Sequence, residues 1–295
     1  MPDGHSGPMS HSYFSQRLRL HYVDWGNEDK PPLLMVHGGR DHCRNWDWIA
    51  RALRDEYHII APDLRGHGDS QWLVGGHYSV ADYIYDIAQL IHQKKMAPVN
   101  ILAHSMGGKI SLLYAGTFPQ SVRRIVAIEG ILPNPKHMRH REETPVHDQL
   151  ATYVETLRKF SSRIPKRYPT LEEACQRMEA VNPHLTRTQA RHLTVHGANQ
   201  NEDGTWSWKF DNYGRAAAPI GLAHDQIISL YQRIACKNLH IIGEESWVSN
   251  PTEDGRIQWF DKSRVEVIPS AGHWVHHDQP DHFLSLFREF MAEPD

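Results

Sequence analysis

The sequence predicts an α/β fold with a mostly parallel sheet, and three observations support this prediction. Short runs of consecutive apolar residues, of which 33–37 is typical, have the pattern of strands buried on both faces. Stretches with the apolar spacing of an amphipathic helix alternate with these runs. The alternation has the pitch of βαβ units, and it resumes after one long interruption.

The elements are predicted in the following order. Strands are expected at Tyr13–Leu18, Leu20–Trp25, Leu33–His37, Tyr57–Ala61, Val99–Ala103, Val122–Ile128, Leu239–Gly243 and Val265–Ile268. Helices are expected at Trp46–Leu53, Val80–His92, Gly107–Thr117 and Asp281–Met291. The first dozen residues, rich in Gly, Pro and Ser, are typical of a frayed N-terminal arm.

The interruption is polar and rich in Pro and His, with helical patches at Val146–Phe160 and Leu171–Val181. A hundred-residue insertion between two strands of such a sheet predicts a cap. We therefore expect one core domain in two parts, 1–131 and 235–295, with a cap at 132–234.

Charge and composition exclude several classes of protein. The 295 residues carry a formal net charge of −3, and no basic run favours nucleic acid as a partner. No run approaches the roughly 18 apolar residues of a membrane helix, and no signal peptide is visible. Three widely spaced cysteines suggest neither a disulfide framework nor a zinc cluster. We expect a cytoplasmic monomer or homodimer without nucleic-acid or membrane partners.

Histidine is unusually frequent, with 22 residues. Close spacings occur at His137/His140, His192/His196 and His273/His276/His277. None comes with the glutamate of an H-E-x-x-H motif or with a cysteine pair. The sequence therefore predicts neither a metal site nor a cofactor.

The strongest chemical signal is the segment Ala103–Gly108, which is close to G-x-S-x-G and lies between a predicted strand and a predicted helix. Small residues let the chain turn sharply there and expose the hydroxyl of Ser105 beyond the strand. Alone, the segment could be an ordinary turn with a serine cap. In this context it predicts a nucleophile.

A serine nucleophile needs a base, and His273 is the candidate. It lies in a Gly-His loop after the last predicted strand, where the chain can return over the sheet edge. His276 and His277 are rivals, although they fit better beside the closing helix.

Stabilisation of an oxyanion is predicted at the segment His37-Gly38-Gly39-Arg40. The N–H of Gly39 would act together with that of Met106, at the start of the helix after the nucleophile. The Gly-rich loop 63–70 follows the next strand, and we interpret it as structural.

These motifs, in this order, resemble the α/β-hydrolase superfamily from Tyr13 to the C-terminus, apart from the cap. The resemblance implies an eight-stranded, mostly parallel sheet with helices on both sides and a cap over the active site. It implies little about the substrate.

The third member of the triad departs from the usual pattern. The family usually places an aspartate after the seventh strand, where this chain has Ser246. A subgroup of haloalkane dehalogenases is similar to this chain in having a glutamate after strand six, which implies Glu129. The alternative is that Glu129 faces solvent at the end of its strand. The other candidates for the triad acid are Glu244, Glu245 and Asp254.

A serine nucleophile restricts the chemistry to carbonyl substrates, because attack on an alkyl halide would leave an ether that water cannot cleave. We expect a carboxylesterase for small or medium esters that acts through a Ser-His-Glu triad. A C–C bond hydrolase, a lactonase and a non-catalytic ligand-binding protein of the same fold remain alternatives.

Substrate contacts are expected from Arg40, Trp206, Trp208, Trp247 and Trp274, although each tryptophan could equally be a packing residue. A C–C bond hydrolase would need basic residues in the cap. The candidates for that role are Arg163, Lys166, Arg167, Arg187 and Arg191.

Overall fold

The fold is taken from a computed structural model, which describes residues 7–131, 134–216 and 221–294. The first six residues of the predicted arm lie outside these ranges. So does Leu132, where the predicted cap begins.

One eight-stranded sheet organises the molecule. Its strands are β1 Met9–Ser15, β2 Leu18–Asp24, β3 Pro32–Val36, β4 His58–Pro62, β5 Val99–His104, β6 Val122–Ile128, β9 Lys237–Gly243 and β10 Ser263–Ile268. The spatial order is β1-β2-β4-β3-β5-β6-β9-β10. The pairs β1–β2 and β2–β4 are antiparallel, and all later pairs are parallel. The predicted fold class is confirmed.

Helices cover both faces of the sheet. They are α1 Asp47–Leu53, α2 Val80–Gln93, α3 Met106–Thr117, α4 Pro135–Glu143, α5 Val146–Ser161, α6 Leu171–Val181, α7 Arg187–Gly197, α8 His224–Gln232, α9 Val275–Asp278 and α10 Pro280–Ala292. Buried residues of α2, α3 and α8 pack on one face, and those of α1, α9 and α10 pack on the other. In the described part of the chain, no helix is long and apolar enough to cross a membrane.

The frayed arm was a wrong prediction for residues 9–12, because β1 begins at Met9 and pairs with β2 along its whole length. Tyr13 is buried, whereas Phe14 is 65% exposed. The exposed positions of this edge strand hold Met9, Ser10, Ser12 and Phe14, a mixture of apolar and polar residues, so its apolar pattern is weak. Leu18, predicted in the first strand, starts the second.

The chain between β6 and β9, called here the β6–β9 insertion, contains α4 to α8 and a two-stranded sheet of β7 Ala198–Gln200 and β8 Trp206–Trp208. Two of its helices, α5 and α6, agree with the predicted patches. Helix α8 packs against α3 so closely that a Cβ on Gly116 would overlap the backbone of Leu230. The predicted cap range, ending at 234, therefore includes a helix of the sheet layers.

Candidate active site

Ser105 stands between the end of β5 and the start of α3, in a strained backbone conformation with φ of 51° and ψ of −117°. Non-glycine residues rarely have a positive φ, and such strain concentrates at functional turns. The turn is tight, because a Cβ on Gly107 would overlap the backbone oxygen of His37. The hydroxyl side chain is partly exposed and lines a cavity.

His273 lies in the loop after β10 and lines the same cavity as Ser105. Its Nδ1 is 2.9 Å from Oε2 of Glu129, at the end of β6. A proton on Nδ1 donates to the carboxylate and leaves Nε2 as the basic nitrogen. The structure thus brings together the serine, histidine and glutamate that the sequence singled out.

Glu129 is fully buried and has a positive φ of 54°. The backbone N–H of Gly243 donates to its Oε1 at 2.8 Å, and the hydroxyl of Ser246 donates to its Oε2 at 2.5 Å. With His273, three donors from two chain segments fix this carboxylate. A buried carboxylate held in this way is satisfied and oriented.

The other acids considered from the sequence have different surroundings. Glu244 and Glu245 are exposed, and Oε2 of Glu245 is 3.5 Å from Nε2 of His184. Asp254 accepts hydrogen bonds from the guanidinium of Arg256. Among the described contacts of these three acids, none is a hydrogen bond to His273.

The loop that carries the base is tied to the strand that carries the nucleophile. Nε2 of His104 donates to the backbone oxygen of His273 at 2.9 Å. Burial holds the pKa of His104 well below its ordinary value, so this ring stays neutral. On the other side, the ring of Trp247 lies 4.9 Å from the ring of His273, with an interplanar angle of 36°.

The predicted oxyanion donors also lie at this edge of the sheet. Met106 is the first residue of α3, and the first N–H groups of a helix have no partner within it. Gly39 follows β3, and a Cβ built on it would lie 3.7 Å from Sδ of Met106, so the two segments are adjacent. Both residues line the cavity with Ser105.

The cavity has a volume of about 830 Å³. Of the five predicted substrate contacts, Arg40, Trp208, Trp247 and Trp274 are in its wall. Trp206 is not among the described lining residues, and its backbone pairs with Tyr168 instead. The β6–β9 insertion supplies much of the opposite wall, including Lys166, Tyr168, Met178 and Phe210.

A family model described as alpha/beta hydrolase fold matches residues 31–280. This match spans most of the chain, from β3 to the start of α10. The chain belongs to the alpha/beta hydrolase fold family.

Individual members of the family resemble this hydrolase over nearly its whole length. A serine hydrolase-like protein of Danio rerio is 23% identical, over 90% of this chain and 83% of that protein. An sn-1-specific diacylglycerol lipase of Mus musculus is 24% identical, over 90% of this chain and 83% of the lipase. The structure of a hypothetical protein of Pseudomonas aeruginosa has a TM-score of 0.85 at 21% identity, covering 98% of this chain and 100% of the other. These likenesses support the fold.

The rival histidines of this hydrolase are buried away from the cavity. Nε2 of His276 and Nε2 of His277 both contact Oδ1 of Asn45, at 2.6 and 2.7 Å. Burial lowers the pKa of both rings, that of His277 to about 3, so both rings are neutral. Each ring donates from Nε2 to the amide oxygen of Asn45. Their place beside the closing helix agrees with the sequence interpretation.

The Gly-rich loop 63–70 has the contacts of a structural brace. Asp63 is buried and accepts hydrogen bonds from the backbone N–H groups of Cys43 and Asp69. Arg65, also buried, forms a bidentate ion pair with Asp86 of α2. The described contacts of these two charges link the loop to the scaffold.

Two groups of potential metal ligands occur among the described residues, with ligand atoms within 4.8 Å of one another in each. They are His21/Cys43/Asp63 and Asp47/His192/His196. The sequence shows no acidic residue that would complete a metal site with His192 and His196, whereas the fold places Asp47 beside them. The carboxylate of Asp47, however, already accepts hydrogen bonds from Arg44 on both oxygens, from Nε to Oδ1 and from a terminal nitrogen to Oδ2. Asp63 is likewise engaged, by His21 and two backbone donors.

Proposed function

We propose that this protein is a serine hydrolase that cleaves carboxylic esters of small or medium size through an acyl-enzyme on Ser105. The observation that carries the proposal is the 2.9 Å hydrogen bond from His273 to the buried Glu129, beside the strained serine. A serine, an oriented imidazole and a carboxylate form the constellation that activates a hydroxyl for acyl transfer.

In the first half-reaction, Oγ of Ser105 attacks the carbonyl carbon and its proton passes to Nε2 of His273. The negative charge that develops on the carbonyl oxygen is stabilised by the N–H groups of Gly39 and Met106. The tetrahedral intermediate then collapses, the C–O bond to the alcohol breaks, and the imidazolium gives its proton to the leaving oxygen.

In the second half-reaction, water replaces the alcohol. His273 takes a proton from the water as it attacks the acyl-enzyme, and then returns it to Oγ of Ser105 as the acid leaves. Glu129 stays ionised throughout, stabilising each imidazolium and holding Nδ1 protonated.

We further propose that the β6–β9 insertion acts as a cap that selects substrates. Trp208 and Phe210 line the cavity opposite the catalytic serine together with Met178 of α6. Apolar walls of this kind bind the hydrocarbon part of an ester, with a few polar groups to orient it. The 830 Å³ volume suits small and medium esters.

The decisive experiment combines labelling with turnover. A fluorophosphonate should label the wild type at Ser105, and Ser105→Ala should abolish nearly all hydrolysis of 4-nitrophenyl esters while leaving thermal unfolding unchanged. Ser249→Ala, at a serine outside the cavity wall, is the matched control and should remain active.

A panel of acyl lengths, run beside a lactone and a ring-cleavage product, separates the esterase from the lactonase and C–C bond hydrolase. Labelling at a different serine would refute the assigned nucleophile. Tight ligand binding without turnover of any substrate in the panel would instead favour a non-catalytic binding protein.

A further inference from the structure

Two arginines from different parts of the fold line the active-site cavity. Arg40 directly follows the oxyanion residue Gly39 and has a positive φ of 61°. Arg215 ends the short helical turn Asn212–Arg215 in the β6–β9 insertion. Both are exposed, so a molecule in the cavity can reach them.

Neither arginine has a carboxylate partner within residues 7–131, 134–216 and 221–294. Partial burial, and to a lesser extent the charge of Arg215, lower the pKa of Arg40 below its ordinary value. Two other arginines of the insertion have carboxylate partners, since Arg167 binds Asp203 and Arg187 binds Glu172. Arg167 and Arg187 do not line the cavity, whereas Arg40 and Arg215 do.

The acids of the cavity wall do not neutralise this pair. Glu245 lies beside His184, and Oδ2 of Asp278 accepts the backbone N–H of Gly272 at 2.8 Å. Two further cations, Lys166 and Arg177, also line the cavity. The wall is thus cationic in a chain whose net charge is −3.

Like charges that line one cavity without a counterion repel each other, and an anion bound among them relieves that repulsion. Guanidinium groups are well suited to this task, because they bind carboxylates through paired N–H donors. We propose that the substrate carries a carboxylate seated between Arg40 and Arg215, so that the enzyme hydrolyses anionic esters such as the half-esters of dicarboxylic acids. This inference rests on the proposed ester hydrolysis.

The test compares two 4-nitrophenyl esters that differ only at the distal acid group: mono-4-nitrophenyl adipate, which is anionic, and its neutral methyl ester, with release of 4-nitrophenol measured for both. The readout is the ratio of kcat/KM for the anionic ester to kcat/KM for the neutral one, so that a general loss of activity cancels. The wild type should prefer the anionic ester. Arg40→Gln and Arg215→Gln should each lower the ratio at least about tenfold, the effect of losing a hydrogen bond to a charged group.

Arg163→Gln is the matched control, because it removes one positive charge from an exposed residue of the insertion outside the cavity wall. It should leave the ratio within about twofold of the wild type. Arg40→Lys keeps the charge without the paired donors, and its ratio should lie between those of the wild type and Arg40→Gln. Thermal unfolding of each variant verifies that it is folded.

An unchanged ratio in both glutamine variants would overturn the inference. An equal fall of the ratio in Arg163→Gln would overturn it too, because the preference would then depend on the overall positive charge of the protein and not on Arg40 and Arg215. In either case the neutral ester would still be cleaved and Ser105 still labelled, leaving the proposed function intact. If instead neither ester is cleaved and Ser105 is not labelled, the proposed function itself fails.

Discussion

The carboxyl edge of the sheet and the β6–β9 insertion face each other across the cavity, and they hold their side chains in opposite ways. Glu129, at the sheet edge, is fully buried and fixed by three donors. On the insertion, α5 has no buried residue, and Arg215 is exposed. The groups proposed to react are thus set by the rigid scaffold, while Arg215, proposed to bind the substrate, is less constrained.

This contrast predicts different responses to substitution. A change at the sheet edge leaves a buried group without its partner, so its effect on the reaction should be large for every substrate. A change on the insertion should alter the order of preference among substrates.

The largest effect is expected for Glu129→Gln. The amide keeps the shape of the side chain but cannot stabilise an imidazolium, and loss of the acid costs about 10⁴ in kcat in the serine-protease template. We expect kcat to fall by several orders of magnitude, with little change in KM, in steady-state kinetics on a 4-nitrophenyl ester. Glu244→Gln, at an exposed acid beyond β9, is the control and should be nearly neutral.

Ser246→Ala gives an intermediate case, because it removes one donor to Glu129 but leaves the charge. Loss of that hydrogen bond should lower kcat about tenfold.

If Glu129→Gln keeps more than about a tenth of the wild-type kcat, another group orients His273. The neighbouring Glu245 would then be the next acid to replace.

The buried histidines that contact Asn45 should make folding stability depend on pH. Burial lowers the pKa of His277 to about 3, whereas a histidine of the unfolded chain titrates near 6.5. Between these values the unfolded state binds more protons, so folding stability falls as the pH falls from 6.5 toward 3. From pH 8 to pH 5 this one residue should cost about 2 kcal/mol of unfolding free energy.

Denaturant unfolding at pH 8, 6.5 and 5 measures this effect. His277→Gln keeps a donor for Asn45 without a titrating ring, so its loss of stability on acidification should be about 2 kcal/mol smaller. His137→Gln, at an exposed position of α4, should follow the wild type. Parallel pH curves for His277→Gln and wild type would show that this ring does not enter the linkage.

The sequence was most informative where function depends on local chain geometry. The pattern around Ser105 predicts the sharp turn between β5 and α3. Small residues, and a change from the apolar run of a strand to the spacing of a helix, are visible there within a few positions. The strands β5 and β6 were predicted within a residue for the same reason. β1 was predicted only from Tyr13 onward, because the polar residues before it weaken the apolar pattern of this edge strand.

Contacts between distant segments could not be predicted in the same way. Ser246 was recognised only as a missing acid, and its hydroxyl reaches Glu129 across 117 positions of sequence. Arg215 was not singled out at all, because nothing in its local sequence indicates that the fold brings it to the cavity that Arg40 lines. Residue type gives the chemistry of such groups, but only the fold gives their neighbours.

The last and smallest effect tests whether the insertion selects substrates, using Trp206 and Trp208 on the same short strand. The sequence could not separate them, whereas only Trp208 is among the described residues of the cavity wall. Trp208→Ala should open space for longer acyl chains, with a gain of up to about fourfold in kcat/KM for each added methylene that becomes buried. Trp206→Ala, measured on the same ester series, should leave the ranking of acyl lengths unchanged. Both tryptophans are partly buried, so denaturant unfolding of both variants separates a loss of stability from a change in preference. An equal shift of the ranking in both variants, or a fall in stability with no shift in either, would make Trp208 a packing residue.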